Sequence, residues 1–318
     1  MDNWFISCDY PKTHMGSPKN IKALNRRIRE RVIESSFFFA AITSILVMVL
    51  IFYFLIRESL VAFGEVGVID LLFGMKWHSA GNVFGMTPII VGSIMVTLLA
   101  LIINISVGLP LAIYLSELAG PRSRSILKPA IELLAGVPSI VYGFLGVLIL
   151  VAFLEGSFDM LTGRSILAAS ILLGIMFIPA LTTICEDALR AVPKEFKEGS
   201  LALGATKWQT VRRVSLPAAS SGIIAAVVLN VGNIIGETMA ALLVVGNVTR
   251  LPSPIFDIFD PSAIFTSVIA GEMGEVPHGS IHYHSLFAVG FVLLLIVTVL
   301  NISADFVRAA IKRKFGEY

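Results

Sequence analysis

The chain has 318 residues, of which 56% are hydrophobic and only 14% charged, with a mean hydropathy of +0.86 and a net charge of +2. Soluble domains carry about 25% charged residues, so this composition excludes a soluble enzyme, a disordered chain and a nucleic-acid binder. The two cysteines, Cys8 and Cys185, lie too far apart in sequence to suggest a disulfide framework.

Residues 1–31 are polar and basic. Ile21, Leu24, Ile28 and Val32 recur at helical spacing among Lys22, Arg26, Arg27, Arg29 and Arg31. Two readings stand: an amphipathic helix on an anionic inner leaflet, or a solvated basic tail. A cleaved signal peptide is not expected, because the first apolar run is too long for a signal core. Six runs then reach the roughly 20 apolar residues that a bilayer-spanning helix needs. They are 35–56, 88–115, 133–154, 165–184, 218–246 and 285–304. One such run could be a buried core helix, but six leave no soluble surface to cover a core. The fold class is therefore an all-α integral membrane protein with six transmembrane helices, with residues 32–318 as one membrane domain.

Charge between the runs sets the orientation. Twenty of the 24 Lys and Arg residues fall in 1–31, 116–129, 185–217 and 305–318. The positive-inside bias then makes both termini cytoplasmic in a multi-pass protein of the cell membrane. Pro110, Pro138 and Pro179 interrupt runs two, three and four. Gly136-Val-Pro-Ser139, with Tyr142 one turn on, reads either as a pore element offering hydroxyls and freed backbone or as a packing kink.

Segment 185–217 is patterned rather than merely polar. Arg190-Ala-Val-Pro193 ends one helix. A second is expected over 194–202, with Phe196, Leu201 and Leu203 apolar among charges. Gly204 breaks it, and a short helix over 206–214 is closed by Leu216-Pro217. A helix–glycine–helix element with an apolar face turned outward suits docking to another protein. In the fifth run Glu237 is the only charge. It is expected about 14 Å below the helix end, at 1.5 Å per residue. Such a charge must be offset by a partner, a water-filled cavity or protonation, which points to a place on a translocation path. The outer loop 247–284 is acidic apart from Arg250 and shaped by Pro252, Pro254, Pro261 and Pro277. His278, His282 and His284 near Glu272 and Glu275 raise a metal site, but the spacing lacks closed zinc geometry, so a docking loop is the expectation.

Glu198-Gly199-Ser200, three residues, Gly204, nine residues and Val214-x-Leu216-Pro217 resemble the EAA motif of ABC importer permeases. Together with 132–143 and Gly236-Glu-Thr-Met-Ala240, they make residues 85–310 similar to the permeases of the phosphate-specific transporter, of the PstC kind, within the MetI-like superfamily. The resemblance implies a MetI-like type-1 transmembrane domain. It implies a second homologous permease, an ATPase subunit dimer holding ATP and Mg, and an extracytoplasmic phosphate-binding protein as partners. Glu198, Gly199, Ser200, Gly204, Leu216 and Pro217 would couple to the ATPase. Glu237, Asn233, Thr238, Ser139 and Tyr142 would lie on the path. In that family an arginine usually stands where this chain has Asn233. No G-x-x-x-x-G-K-[ST] occurs, so no cofactor or catalytic residue is expected in this chain. A sulfate or molybdate permease is the alternative within transport. A secondary transporter or ion channel is another class, although no inverted repeat favours it.

Overall fold

In lipid an apolar segment satisfies its backbone by coiling into a helix, and most of the described residues are helical. The computed structural model describes the backbone of residues 18–315 and the side chains of 30–306 other than residue 80. The first helix, α1 (Pro18–Glu65), runs 48 residues without interruption. No Gly or Pro occurs between 19 and 63 to stop it. The basic segment is therefore not a separate helix turning into the membrane: from residue 18 it continues directly into the apolar run, and residues 1–17 lie outside the described part. The chain divides within α1, with one unit ending at Phe54 and the other starting at Leu55. In the first unit residues 30–54 are exposed on every side, and 37–54 carry no charge, which suits contact with lipid.

The second unit starts with the end of α1, then α2 (Val68–Phe73) and a hairpin of β1 (Trp77–His78) and β2 (Val83–Phe84), with Trp77 opposite Phe84. The sequence gives no signal for this hairpin, which is the only sheet among the described residues. Helix α3 (Thr87–Ile113) continues through a π-turn, Tyr114–Leu118. Next come α4 (Pro121–Ala135), then α5 (Ser139–Leu145) and α6 (Ala152–Phe158), joined by a π-helical stretch Gly146–Val151. Helices α7 (Ile166–Met176) and α8 (Ile178–Arg190) meet at a 42° bend. The chain goes on through α9 (Lys194–Ala202), α10 (Lys207–Thr210), a π-turn Val211–Ser215 and α11 (Leu216–Ala218). It ends with α12 (Ser220–Gly236), α13 (Met239–Val244), α14 (Phe265–Glu272) and α15 (Ile281–Phe315). Among the described residues, four helices are long and apolar enough to cross a membrane, or up to six if each of two bent pairs counts as one span.

Three of the expected spans differ from the observed helices. The third starts at Ser139 rather than 133, because Pro138 disfavours helical backbone at Val137. The fourth runs past 184 to Arg190, so the loop expected over 185–217 is shorter. The fifth is not one helix over 218–246 but α12 and α13, parted at Glu237 and Thr238.

Helix α3 is the post against which α7, α8 and α12 pack, and small residues bring them close. A Cβ on Gly174 would stand 3.0 Å from the Ala100 carbonyl oxygen. Polar side chains then bridge the helices. Asn104 Nδ2 donates to Gly174 O at 3.1 Å, Thr182 Oγ1 to Gly108 O at 3.2 Å, and Asn230 Nδ2 to Asn104 Oδ1 at 3.3 Å. Asn104 and Asn230 are fully buried. Where no water is available these bonds serve as interhelical glue. Replacing Asn104 by Leu leaves Gly174 O and the Asn230 amide unpaired. It is expected to cost roughly 0.6–2 kcal/mol, read as a lower unfolding temperature in detergent.

Candidate functional site

Residues 194–218 fold as a rigid elbow, for reasons legible in their local chemistry. Gly204 adopts φ +84°, a conformation that side chains resist. There it closes α9: Gly204 N–H bonds Leu201 O at 2.9 Å and Ala205 N–H bonds Ser200 O at 3.2 Å, the Schellman pattern. Two residues on, Thr206 and Gln209 form a reciprocal capping box that starts α10. Ser200 Oγ and Thr210 Oγ1, 3.0 Å apart, join the two helices. The elbow is thus fixed by caps on both sides of Ala205. Phe196, Leu201 and Trp208 are exposed on it, and Leu203 is 91% exposed.

The predicted coupling residues divide by environment. Glu198 and Gly199 are exposed, Ser200 is half-buried, and a Cβ on Gly199 would meet nothing. Leu216 and Pro217 do not close the second helix. The helical path continues to Ala218 and then bends by 69° at Ala219. The preceding π-turn accommodates Pro217, which has no N–H to donate.

Glu237 stands at a break and not inside a helix. Its N–H bonds Ile234 O at 3.3 Å, and its carbonyl accepts from Thr266 Oγ1 at 2.8 Å. Its carboxylate Oε1 accepts the Ala240 N–H at 3.2 Å, and Thr238 Oγ1 donates to Gly236 O at 3.3 Å. The charge is thus offset by a helix cap, a source that the apolar run alone does not suggest. Asn233, one turn earlier, is exposed, and Glu237 and Thr238 are half-buried.

On α5, Tyr142 Oη donates to Leu134 O at 2.9 Å and so braces the Gly136–Pro138 break, while Ser139 is half-buried. A Cβ on Gly143 would stand 2.9 Å from the Ala240 Cα, so α5 lies against α13. The structure therefore brings the Ser139–Tyr142 helix next to the helix that Glu237 caps. The elbow residues form a separate group.

Two ion-pair clusters escaped the sequence reading. Lys197 Nζ on α9 lies 2.6 Å from Glu117 Oε1 and also donates to Leu189 O at 3.2 Å. Glu186 on α8, only 1% exposed, pairs with Arg124 and, at 3.2 Å, with Lys128, both on α4. Arg190 stands 3.9 Å away. The available signal was a carboxylate at the edge of the fourth apolar run, facing a basic stretch earlier in the chain. On the expected outer side the histidines take separate partners. His282 Nε2 lies 2.6 Å from Glu272 Oε2, which also accepts from Trp77 Nε1, and His284 Nδ1 is 2.9 Å from Glu58. His278 packs edge-on against Tyr283.

Comparison with known proteins gives consistent results. The model of the family described as "Binding-protein-dependent transport system inner membrane component" matches residues 108–317. The chain is 38% identical over 273 residues to the "Probable ABC transporter permease protein YqgH" of Bacillus subtilis, covering 84% of this chain and 86% of that one. It is 30% identical over 312 residues to the "Phosphate transport system permease protein PstC" of Pasteurella multocida, covering 92% and 96%. An inward-facing structure of the MetNI methionine ABC transporter matches with TM-score 0.56 at 18% identity, covering 71% and 97%, a likeness of fold. The chain belongs to the family of inner membrane components of binding-protein-dependent transport systems.

Replacing Gly204 by Ala puts a side chain at φ +84° and is expected to cost about 1–2 kcal/mol locally. Hydrogen exchange should then quicken at the amides of Leu203, Gly204 and Ala205 while α3 and α7 stay protected.

Proposed function

We propose that this member of the family is the permease subunit of an ATP-driven importer that carries inorganic phosphate across the cell membrane. In this reading it pairs with a second, homologous permease, an ATPase dimer and an extracytoplasmic phosphate-binding protein. Six spans cross the bilayer with both termini in the cytoplasm. ATP and Mg stay on the ATPase. The observation that carries the reading is the capped elbow at Gly204, with Leu201, Leu203 and Trp208 exposed on it. It is a rigid apolar knob in the segment that resembles the EAA motif of ABC importer permeases. ATP binding closes the ATPase dimer, the dimer moves the knob, and α8 and α12 on either side of it move with it.

Glu237 then faces the solute. One carboxylate oxygen caps Ala240, and the other remains to accept a proton. Phosphate near neutral pH still carries a proton to donate, whereas sulfate does not, so a carboxylate acceptor penalises the fully ionised competitor. Asn233 cannot neutralise Glu237, and the family's usual arginine is missing there, so either the second permease supplies a countercharge or the site is electrostatically different, with the Ala240 cap as the offset within this chain. That absent arginine is also what favours the second reading, a permease for sulfate or molybdate.

The test is uptake into proteoliposomes holding the full complex. ATP-dependent accumulation of labelled phosphate that excess sulfate and molybdate fail to suppress is the expected result. Suppression by either oxyanion would move the assignment to the second reading. Glu237→Gln keeps an oxygen for the Ala240 cap and removes the charge. It should lower phosphate uptake about tenfold or more, the size of one hydrogen bond to a charged group, and narrow the preference over sulfate. Unchanged uptake and preference would remove Glu237 from the path.

A further inference from the structure

We infer that Glu186 is a positioning residue that ties α4 to the helix leading into the elbow, so that motion of α9 reaches the Gly136–Pro138 break. The inference deepens the transport reading and rests on it, since it concerns how the motor's stroke is delivered.

Helix α4 is held by little else. Ile131 is its only buried residue, and Ile126, Leu133 and Leu134 are exposed. An element with so small an apolar contact is placed by its charges. Both oxygens of the buried Glu186 are occupied, one by Arg124 and one by Lys128, a turn apart on α4. Buried ion pairs of this kind stabilise less than an apolar contact of the same volume would, but they fix one arrangement out of several.

The front of α4 is held by the elbow itself. Lys197 on α9 grips Glu117, which lies three residues before Gly120, the N-cap of α4. Helix α4 is therefore tied at its start to α9 and along its middle to α8, the two elements that a push on the elbow displaces together. Its far end carries Leu134, whose carbonyl accepts from Tyr142 across the break. Movement of α4 is passed by that bond to α5, where Ser139 and Tyr142 stand.

The complex is reconstituted with its ATPase, second permease and binding protein, and phosphate moved per ATP hydrolysed is measured. Glu186→Gln is expected to lower that ratio about tenfold, within the usual range of coupling between sites, while hydrolysis stays near wild type. Glu186→Asp should restore most of it. Lys128→Gln, which changes a partly exposed side chain and leaves Arg124 in place, should fall between, and it decides the matter if the Glu186 variants do not assemble. An unchanged ratio in Glu186→Gln or Lys128→Gln, or hydrolysis and transport falling in equal proportion, overturns the inference. Spin labels at Ile126 and Ala205 give a readout independent of the solute. ATP should move them together as one body in the wild type, with their separation kept, and Glu186→Gln should let the separation change. A separation insensitive to the substitution also overturns it. A wild-type complex that takes up no phosphate defeats the transport reading instead, and the label measurement still decides the role of Glu186.

Discussion

A peptide group left unpaired in lipid costs several kcal/mol, and yet the apolar runs of this chain break repeatedly. The structure meets that cost at each break with a side chain suited to it. At Gly236–Thr238 the carbonyls of Gly236 and Glu237 accept from the Thr238 and Thr266 hydroxyls, and the Glu237 carboxylate accepts the Ala240 N–H of α13. At Gly136–Pro138 the Leu134 carbonyl is taken by Tyr142. At the α11–α12 bend the Pro217 carbonyl accepts from Ser220 Oγ. At Phe177 the main chain closes most of the gap, through Phe177 N–H to Leu173 O and Leu181 N–H to Phe177 O, and Asn104 Nδ2 takes the Gly174 carbonyl. Breaks equipped in this way are built features, and the residues singled out as a path stand at two of them.

What could be read from the sequence follows from which signals are local. Hydropathy is summed over a window, so the existence of the spans was legible, and those over 88–115 and 285–304 lie within observed helices. Capping chemistry is also local. Gly204 and the turn after it were legible because a glycine between two amphipathic stretches has few other uses. The break in the fifth run was hidden, because Gly-Glu-Thr contains no proline and one of its supports, Thr266, arrives 29 residues later. Glu186 was hidden for the same reason. Its partners lie 58 and 62 residues earlier, and its own position reads as the start of a loop. The hairpin was missed because two strands of two residues have no period to detect.

Charge is used differently on the two sides of the molecule. On the side of the elbow the buried Glu186 carboxylate is surrounded by Arg124, Lys128 and Arg190. On the opposite side the carboxylates Glu58 and Glu272 are met by His284 and His282, which join the end of α1 and α14 to α15, with Trp77 of the hairpin on the same Glu272 oxygen. Histidine pairs depend on protonation for their charge, so the apolar cluster around Phe84, Phe265 and Leu286 carries the packing there.

The elbow and α4 have opposite mechanical characters, and the contrast follows from how each is held. The elbow is short, capped at both ends of its turn and cross-linked by a hydroxyl pair, so a push on Leu203 moves it as a unit. Helix α4 is long enough to reach from Gly120 to the third span but is packed through a single buried side chain. In the proposed stroke the elbow is a stiff input and α4 a lightly packed output, and point contacts between them let α4 shift without unpacking a core. Had α4 been held by a broad apolar face, each shift would expose and rebury that area. Ion pairs hold α4 instead, and none of its residues belongs to the three apolar clusters, so its placement is set apart from the packing of the core.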